Sequence, residues 1–292
     1  MWNQIAAQIS KTLNIDYAIA RAIPVSGGCI NQAYCLVSDN QPQKFFVKLN
    51  QASELEMFEV EVLALQQIYN TSTIRVPQPL VWGIVDKSAF LVLEWLEMGS
   101  APNWQALAEN LAKMHRVESS QGFGWQQNNR IGSTLQLNSW REDWLEFFGK
   151  QRLGYQLKLA QAKGFPGNLS DRLLENLPRF FENYQPKPAL VHGDLWSGNI
   201  GFTSGSNSSQ PAIFDPALYF GDREVDIAIT ELFGGFAPAF YQAYQLAFPL
   251  DPGFQRRKQL YNLYHILNHF NLFGGSYGDQ AQTIINQLLS LT

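Results

Sequence analysis

The chain is 292 residues long, 46% hydrophobic and 16% charged, with a formal net charge of −4. This is the composition of an ordinary globular protein at the upper size for one core, so two lobes with a cleft between them are expected. No window approaches the roughly twenty consecutive apolar residues of a membrane span, and an acidic balance without a basic cluster argues against nucleic acid as a partner. The N-terminal Met1 to Ala6 lacks a basic region followed by an apolar run, so no secretory signal is expected and a cytoplasmic location follows.

Residues 1–19 read as a helix. Alternating segments then follow at Arg21 to Val25, Ala33 to Val37 and Phe45 to Leu49. Turn residues at Ser26-Gly27-Gly28 and Asp39-Asn40-Gln41-Pro42 divide them into an antiparallel meander. Leu55, Phe58, Val62, Leu65 and Ile68 recur at helical spacing, with Ser53 as the expected N-cap of a helix over 53–69. Strands over 80–85 and 89–94 complete a five-stranded sheet with one helix. From about Gly99 the pattern is mainly helical: 103–116, 139–150, 168–184, and 223 to the end. The fold class expected is α+β and two-lobed, with a small lobe over 1–96 for nucleotide binding and a larger lobe over 97–292 for catalysis and substrate binding.

The segment His192-Gly193-Asp194-Leu195-Trp196-Ser197-Gly198-Asn199, followed by Ile213-Phe214-Asp215-Pro216, carries the chemistry. In protein kinases an Asp in such a loop receives the acceptor hydroxyl proton, an Asn five residues later holds Mg²⁺, and a second Asp beyond holds the metal that bridges the phosphates. Asp194, Asn199 and Asp215 fit these roles in order. The physical reason is that a nucleoside triphosphate is strongly anionic, and the cations that neutralise it prefer hard oxygen ligands. The polar turn from Thr203 to Gln210 lets a short hairpin deliver Asp215. His192 reads as a brace for the loop and Asp226 as an anchor for its backbone, while His115, His265 and His269 read as packing or surface residues.

Lys48 falls on the face of its strand opposite Val47 and Leu49, where a lysine could meet phosphates. Glu61 is the expected partner on the following helix and Glu59 the runner-up, about 200° around that helix; a solvated lysine is the plain alternative. Gly27 and Gly28 occupy the position of a loop covering phosphates, and two glycines let backbone amides approach an anion. Glu94 and Leu96 would bind adenine through their backbone groups. No Gly-x-x-x-x-Gly-Lys-Ser/Thr motif is present, which removes the P-loop alternative.

The catalytic segment, taken with Ser26-Gly27-Gly28-Cys29-Ile30, Phe46-Val47-Lys48, Met57 to Val62, Phe233-Gly234-Gly235-Phe236 and Leu267-Asn268-His269, resembles the fructosamine kinase (ketosamine 3-kinase) family over nearly the whole chain. The resemblance implies an aminoglycoside-phosphotransferase-like, protein-kinase-like fold. It implies ATP- and Mg²⁺-dependent phosphorylation of the O3 hydroxyl of a ribulosamine or fructosamine, free or on a protein lysine, leading to deglycation. It implies substrate contacts from the region of Trp140, Asp143 and Trp144, although helical spacing of the two tryptophans is also what core packing gives. Trp196 offers a flat wall on which a sugar could stack, or else a buried structural ring.

Two cysteines without an export signal do not suggest a structural disulfide. Cys29, in the phosphate loop, is a candidate redox site, and the resemblance implies a redox-linked homodimer through it; Cys35 reads as a small buried hydrophobe. The alternatives are a kinase for another amino-sugar, an aminoglycoside or choline, and a nucleotide-binding regulator without turnover. The presence of Lys48, Asp194, Asn199 and Asp215 together disfavours the regulator.

Overall fold

The computed structural model describes residues 1–26, 30–99, 101–204 and 209–291. Its internal contacts divide the chain into two compact units: Met1–Asn103 with Ile200–Asp215, and Trp104–Asn199 with Pro216–Thr292.

The first unit opens with α1 (Trp2–Leu13), which ends at Asn14 in the left-handed conformation, φ 53°. The strands β1 (Ile19–Pro24), β2 (Gln32–Ser38) and β3 (Phe45–Gln51) form the expected meander, α2 (Leu55–Thr71) follows, and β4 (Pro79–Val85) and β5 (Ser88–Glu94) complete an antiparallel sheet of order β1-β2-β3-β5-β4. Strand alternation divides the residues between two faces. Phe45, Val47, Leu49, Phe90 and Val92 join Ile5 and Ile9 of α1 in one buried cluster, and α2 packs over β4 and β5. Ser53 does not cap α2. A 3₁₀ turn, Ala52–Glu54, leads into the helix instead, and its first turn has no side-chain cap.

The second unit begins with α3 (Trp104–Met114) and a short hairpin, β6 (Asn129–Ile131) with β7 (Thr134–Gln136), that the sequence pattern did not announce. The helix expected over 139–150 starts later. Asp143 is extended, φ −102°, and its carboxylate accepts the Glu146 amide at 2.7 Å, so α4 begins at Trp144. Trp140 therefore lies outside the helix, on a stretch where Arg141 bridges to Phe123. After α4 (Trp144–Phe147) the helix passes through a π segment, Phe148–Leu153, into α5 (Gly154–Gln161). The expected helix 168–184 is α6 (Gly167–Asn176) followed by a 3₁₀ turn, Leu177–Phe180, because Pro178 has no amide to continue the α pattern.

Beyond β8 (Ala189–Val191) comes the hairpin β9 (Ile200–Thr203) with β10 (Gln210–Ile213), which belongs to the first unit; β11 (Tyr219–Gly221) then pairs with β8. The remainder is α7 (Glu224–Thr230), α8 (Pro238–Ala247), α9 (Phe254–Phe273) and α10 (Tyr277–Ser290). Helix α9 is buried along most of its length and packs on α5, α7 and α10. No helix among the described residues is long and apolar enough to cross a membrane.

Candidate active site

In the first unit Lys48 is buried, 6% exposed, and its ammonium meets two carboxylates. One is Glu61 of α2, at 2.6 Å, and the other is Asp215. Glu59 is exposed on the same helix. Burial alone would lower the pKa of Lys48, but the Asp215 and Glu61 charges outweigh it and the net shift is upward. Burial pushes Glu61 up, with Lys48 opposing and the Asp215 charge adding to it. Lys48 therefore holds its proton more tightly than a free lysine does.

Asp215 follows β10 in the left-handed region, φ 57°, a conformation that a short polar side chain tolerates better than most. Its hairpin is tied to the rest of the first unit: the Ile213 amide donates to the Arg75 carbonyl at 3.0 Å, Gly99 to Phe202 at 3.2 Å, and Ser204 to Glu97 at 2.9 Å. Glu94 closes β5, where its amide donates to the Gln78 carbonyl at 2.8 Å and its carboxylate pairs with Arg75. Leu96 is 8% exposed. Gly27, Gly28 and Cys29 lie outside the described residues, and with them the redox-linked contact. Cys35 is buried, and burial pushes its thiol up.

The second unit holds the Asp194 loop. Gly193 turns the chain out of β8 with φ 81°, and a Cβ there would overlap the Ala217 carbonyl, so both conformation and space require glycine. The buried Asp226 carboxylate accepts the His192 and Gly193 amides at 2.7 and 2.8 Å and meets His115 Nε2 at 3.1 Å. Burial acts to raise the Asp226 pKa, but the hydrogen bonds from His115 and the Gly193 amide hold it below the ordinary value. Burial lowers the pKa of His115, so a neutral ring donates from Nε2 and accepts the Tyr244 hydroxyl at Nδ1, 2.7 Å away. Arg223 donates to that hydroxyl at 3.1 Å.

Within the loop the Asp194 amide donates to His192 Nδ1 at 3.2 Å. Asn199 Nδ2 donates to the Asp194 carbonyl at 2.8 Å and lies 3.3 Å from its Oδ2, leaving the amide oxygen of Asn199 as a hard donor. Asp194 is half-buried and Trp196 is 39% exposed. Trp140 is half-buried, 6.0 Å from the Phe220 ring, and Asp143 is exposed while it caps α4. Trp144 is 2% exposed and surrounded by Phe123, Phe147, Phe148 and Tyr261, so its indole is occupied by packing. Burial pushes His265 down to about 3, as a packing residue requires. His115 is the site residue that sequence reasoning missed. It lies 111 positions from Asp226, and its local pattern is that of any amphipathic helix end.

The profile of the fructosamine kinase family matches residues 1–291. The chain is 50% identical to a protein of Synechocystis sp. named "Probable ketoamine kinase", over 99% of this chain and 97% of that one. It is 42% identical to a chloroplastic protein-ribulosamine 3-kinase of Arabidopsis thaliana, over 91% of this chain and 82% of that one. The fold is similar to that of the choline kinase LicA of Streptococcus pneumoniae, with TM-score 0.63, 13% identity and coverage of 100% and 99%. The architecture is accordingly an α+β, protein-kinase-like one.

Proposed function

Because the chain belongs to the fructosamine kinase family, we propose that it transfers the terminal phosphoryl group of ATP to the O3 hydroxyl of a ketosamine, a ribulosamine or fructosamine carried by a free amine or a protein lysine. Deglycation follows, since a 3-phosphate makes the adduct prone to elimination. A cytoplasmic setting goes with this reading.

The observation that carries it is the buried Lys48 ammonium shared between Glu61 and Asp215. A cation so held is pre-oriented for phosphate oxygens, and charge stabilisation by fixed groups is the main protein contribution to phosphoryl transfer. In this assignment residues 1–96 bind the nucleotide and 97–292 carry catalysis and the acceptor. The backbone of Glu94 and Leu96 takes adenine and that of Gly27 and Gly28 covers the phosphates. Asn199 Oδ1 and the Asp215 carboxylate each offer a hard oxygen of the kind Mg²⁺ prefers, and both are assigned to the metal. Bound there, Mg²⁺ would offset negative charge on the phosphate oxygens.

Asp194 orients the O3 hydroxyl and accepts its proton as the oxygen attacks phosphorus and the ADP oxygen leaves. Asp226 and His115 act behind it by fixing the loop amides. Trp196, with Trp140 and Asp143, is assigned to the acceptor; Trp144 supports that region by packing.

Purified protein incubated with MgATP and ribulosyl-lysine or fructosyl-lysine should release ADP and yield a product phosphorylated at O3 by ³¹P NMR, and Asp194→Asn should not. Turnover of choline or an aminoglycoside, with neither ketosamine accepted, would overturn the substrate assignment.

A further inference from the structure

Gly198 lies between Trp196 and Asn199, and the structure gives one reason for a glycine there. A Cβ on this residue would stand 2.7 Å from Cζ3 of the Trp196 indole and closer still to Cζ2 and Cη2. Its φ lies outside the left-handed range, and it sits within the 3₁₀ turn Ser197–Asn199, a conformation open to any L residue. The three atoms nearest to such a Cβ all belong to the indole. The need for a missing side chain therefore comes from the ring, whereas at Gly193 it comes from the backbone.

The indole is held to this position by the loop beneath it. The Trp196 amide donates to the Asp194 carbonyl at 3.1 Å and the Asn199 amide to the Trp196 carbonyl at 2.9 Å. Asn199 Nδ2 adds a second bond to the Asp194 carbonyl at 2.8 Å. With the backbone fixed on both sides, the side chain folds back over the residue two positions on. Trp196 still keeps 39% of its surface exposed. A flat apolar surface is thus presented next to the Asp194 loop, with Gly198 as its seat.

We propose that Gly198 is a positioning residue that sets the pose of the Trp196 indole and, through it, selectivity for acceptors with an apolar sugar face; this rests on the kinase reading above. A methyl group at 198 lifts the ring. Only the end of a partly exposed side chain has to move, so the loop backbone keeps Asp194 and Asn199 in place. The loss then falls on acceptor binding, leaving turnover at saturation and the affinity for MgATP unchanged.

The test is a double-mutant cycle of Gly198→Ala and Trp196→Ala in the full chain, assayed with MgATP and ribulosyl-lysine. Gly198→Ala is expected to raise the acceptor KM by about tenfold, with kcat and the KM for MgATP within about twofold of the parent. In the Trp196→Ala background the same change should have no further effect. A second measurement needs no acceptor. In 5-fluorotryptophan-labelled protein the Trp196 ¹⁹F resonance, assigned by its loss in Trp196→Phe, should shift in Gly198→Ala. An unmoved resonance, or an equal loss in the Trp196→Ala background, overturns the proposal. A parent protein that phosphorylates no ketosamine overturns the substrate reading instead, and the resonance then decides the pose by itself.

Discussion

Asp194 and Lys48 make opposite demands on their surroundings, and substitutions at the two should fail differently. Asp194→Asn keeps the size of the side chain and removes its proton affinity, so kcat should fall by on the order of 10²–10⁴ with the KM for MgATP unchanged. Lys48→Met removes the cation between Glu61 and Asp215, leaving the largely buried Glu61 carboxylate without its partner. Stability should drop by about 3–5 kcal/mol in urea unfolding, and binding of MgATP should weaken in calorimetry. The Lys48–Glu61 and Asp194–Asn199 contacts were legible in the sequence because each residue announces itself locally. Strand alternation faces Lys48 away from Val47 and Leu49, helix geometry separates Glu61 from Glu59, and Asp194 and Asn199 share one eight-residue segment. His115 was not legible. Its place behind the Asp194 loop depends on meeting Asp226 across 111 positions, and no period or spacing encodes such a meeting.

At the level of elements, α7 gathers buried carboxylates whose pKa values are shifted. Its first turn carries Glu224 and Asp226, and Asp222 precedes it. Arg257 of α9 holds Glu224 at 2.8 and 3.0 Å and Asp251 at 2.6 Å, while Asp222 accepts the Tyr184 hydroxyl at 2.9 Å and that of Tyr261. Burial and the Asp222 charge push Glu224 up to about 7 against the pull of Arg257. A folded pKa above the unfolded one means the native state holds the proton more tightly. The stability from this group is therefore full below the ordinary carboxylate value of 4.5 and is lost as pH rises through about 7. The melting temperature should be lower at about pH 8 than at about pH 6, and Glu224→Gln should flatten that slope. His115→Ala should cost about 1–3 kcal/mol by depriving a buried carboxylate of a donor, and should lower kcat through the loop amides. Element identity was largely readable from periodicity, as the sheet and α2 show. Boundaries were less so: the apolar spacing of Trp140 and Trp144 looked helical, but the Asp143 cap starts the helix between them. The π segment after α4 has no counterpart in a period of 3.6.

For the whole molecule, ligand linkage gives a prediction that needs no substitution. Saturating MgATP, at about a hundred times its Kd, should stabilise the native state by about 2.7 kcal/mol and raise the melting temperature by several degrees, an increase that removing Mg²⁺ with a chelator should reverse. That the pattern changes close to Asn103, where the opening segment of the first unit ends, was legible in the sequence. The allegiance of the hairpin that ends in Asp215 was not, because it depends on backbone pairing with Arg75, Glu97 and Gly99 rather than on any property of its own residues. That allegiance bears on how the protein is made. The first unit is missing Ile200–Asp215 when residue 103 leaves the ribosome, so Lys48 and Glu61 wait through about a hundred further residues, at roughly 5–20 per second, before their third partner emerges. For several seconds of each synthesis the nascent first unit holds the Lys48–Glu61 pair without Asp215 and leaves the Arg75 and Glu97 carbonyls and the Gly99 amide without the partners that the hairpin supplies, and a ribosome stalled between the two segments would hold a lobe that cannot finish folding.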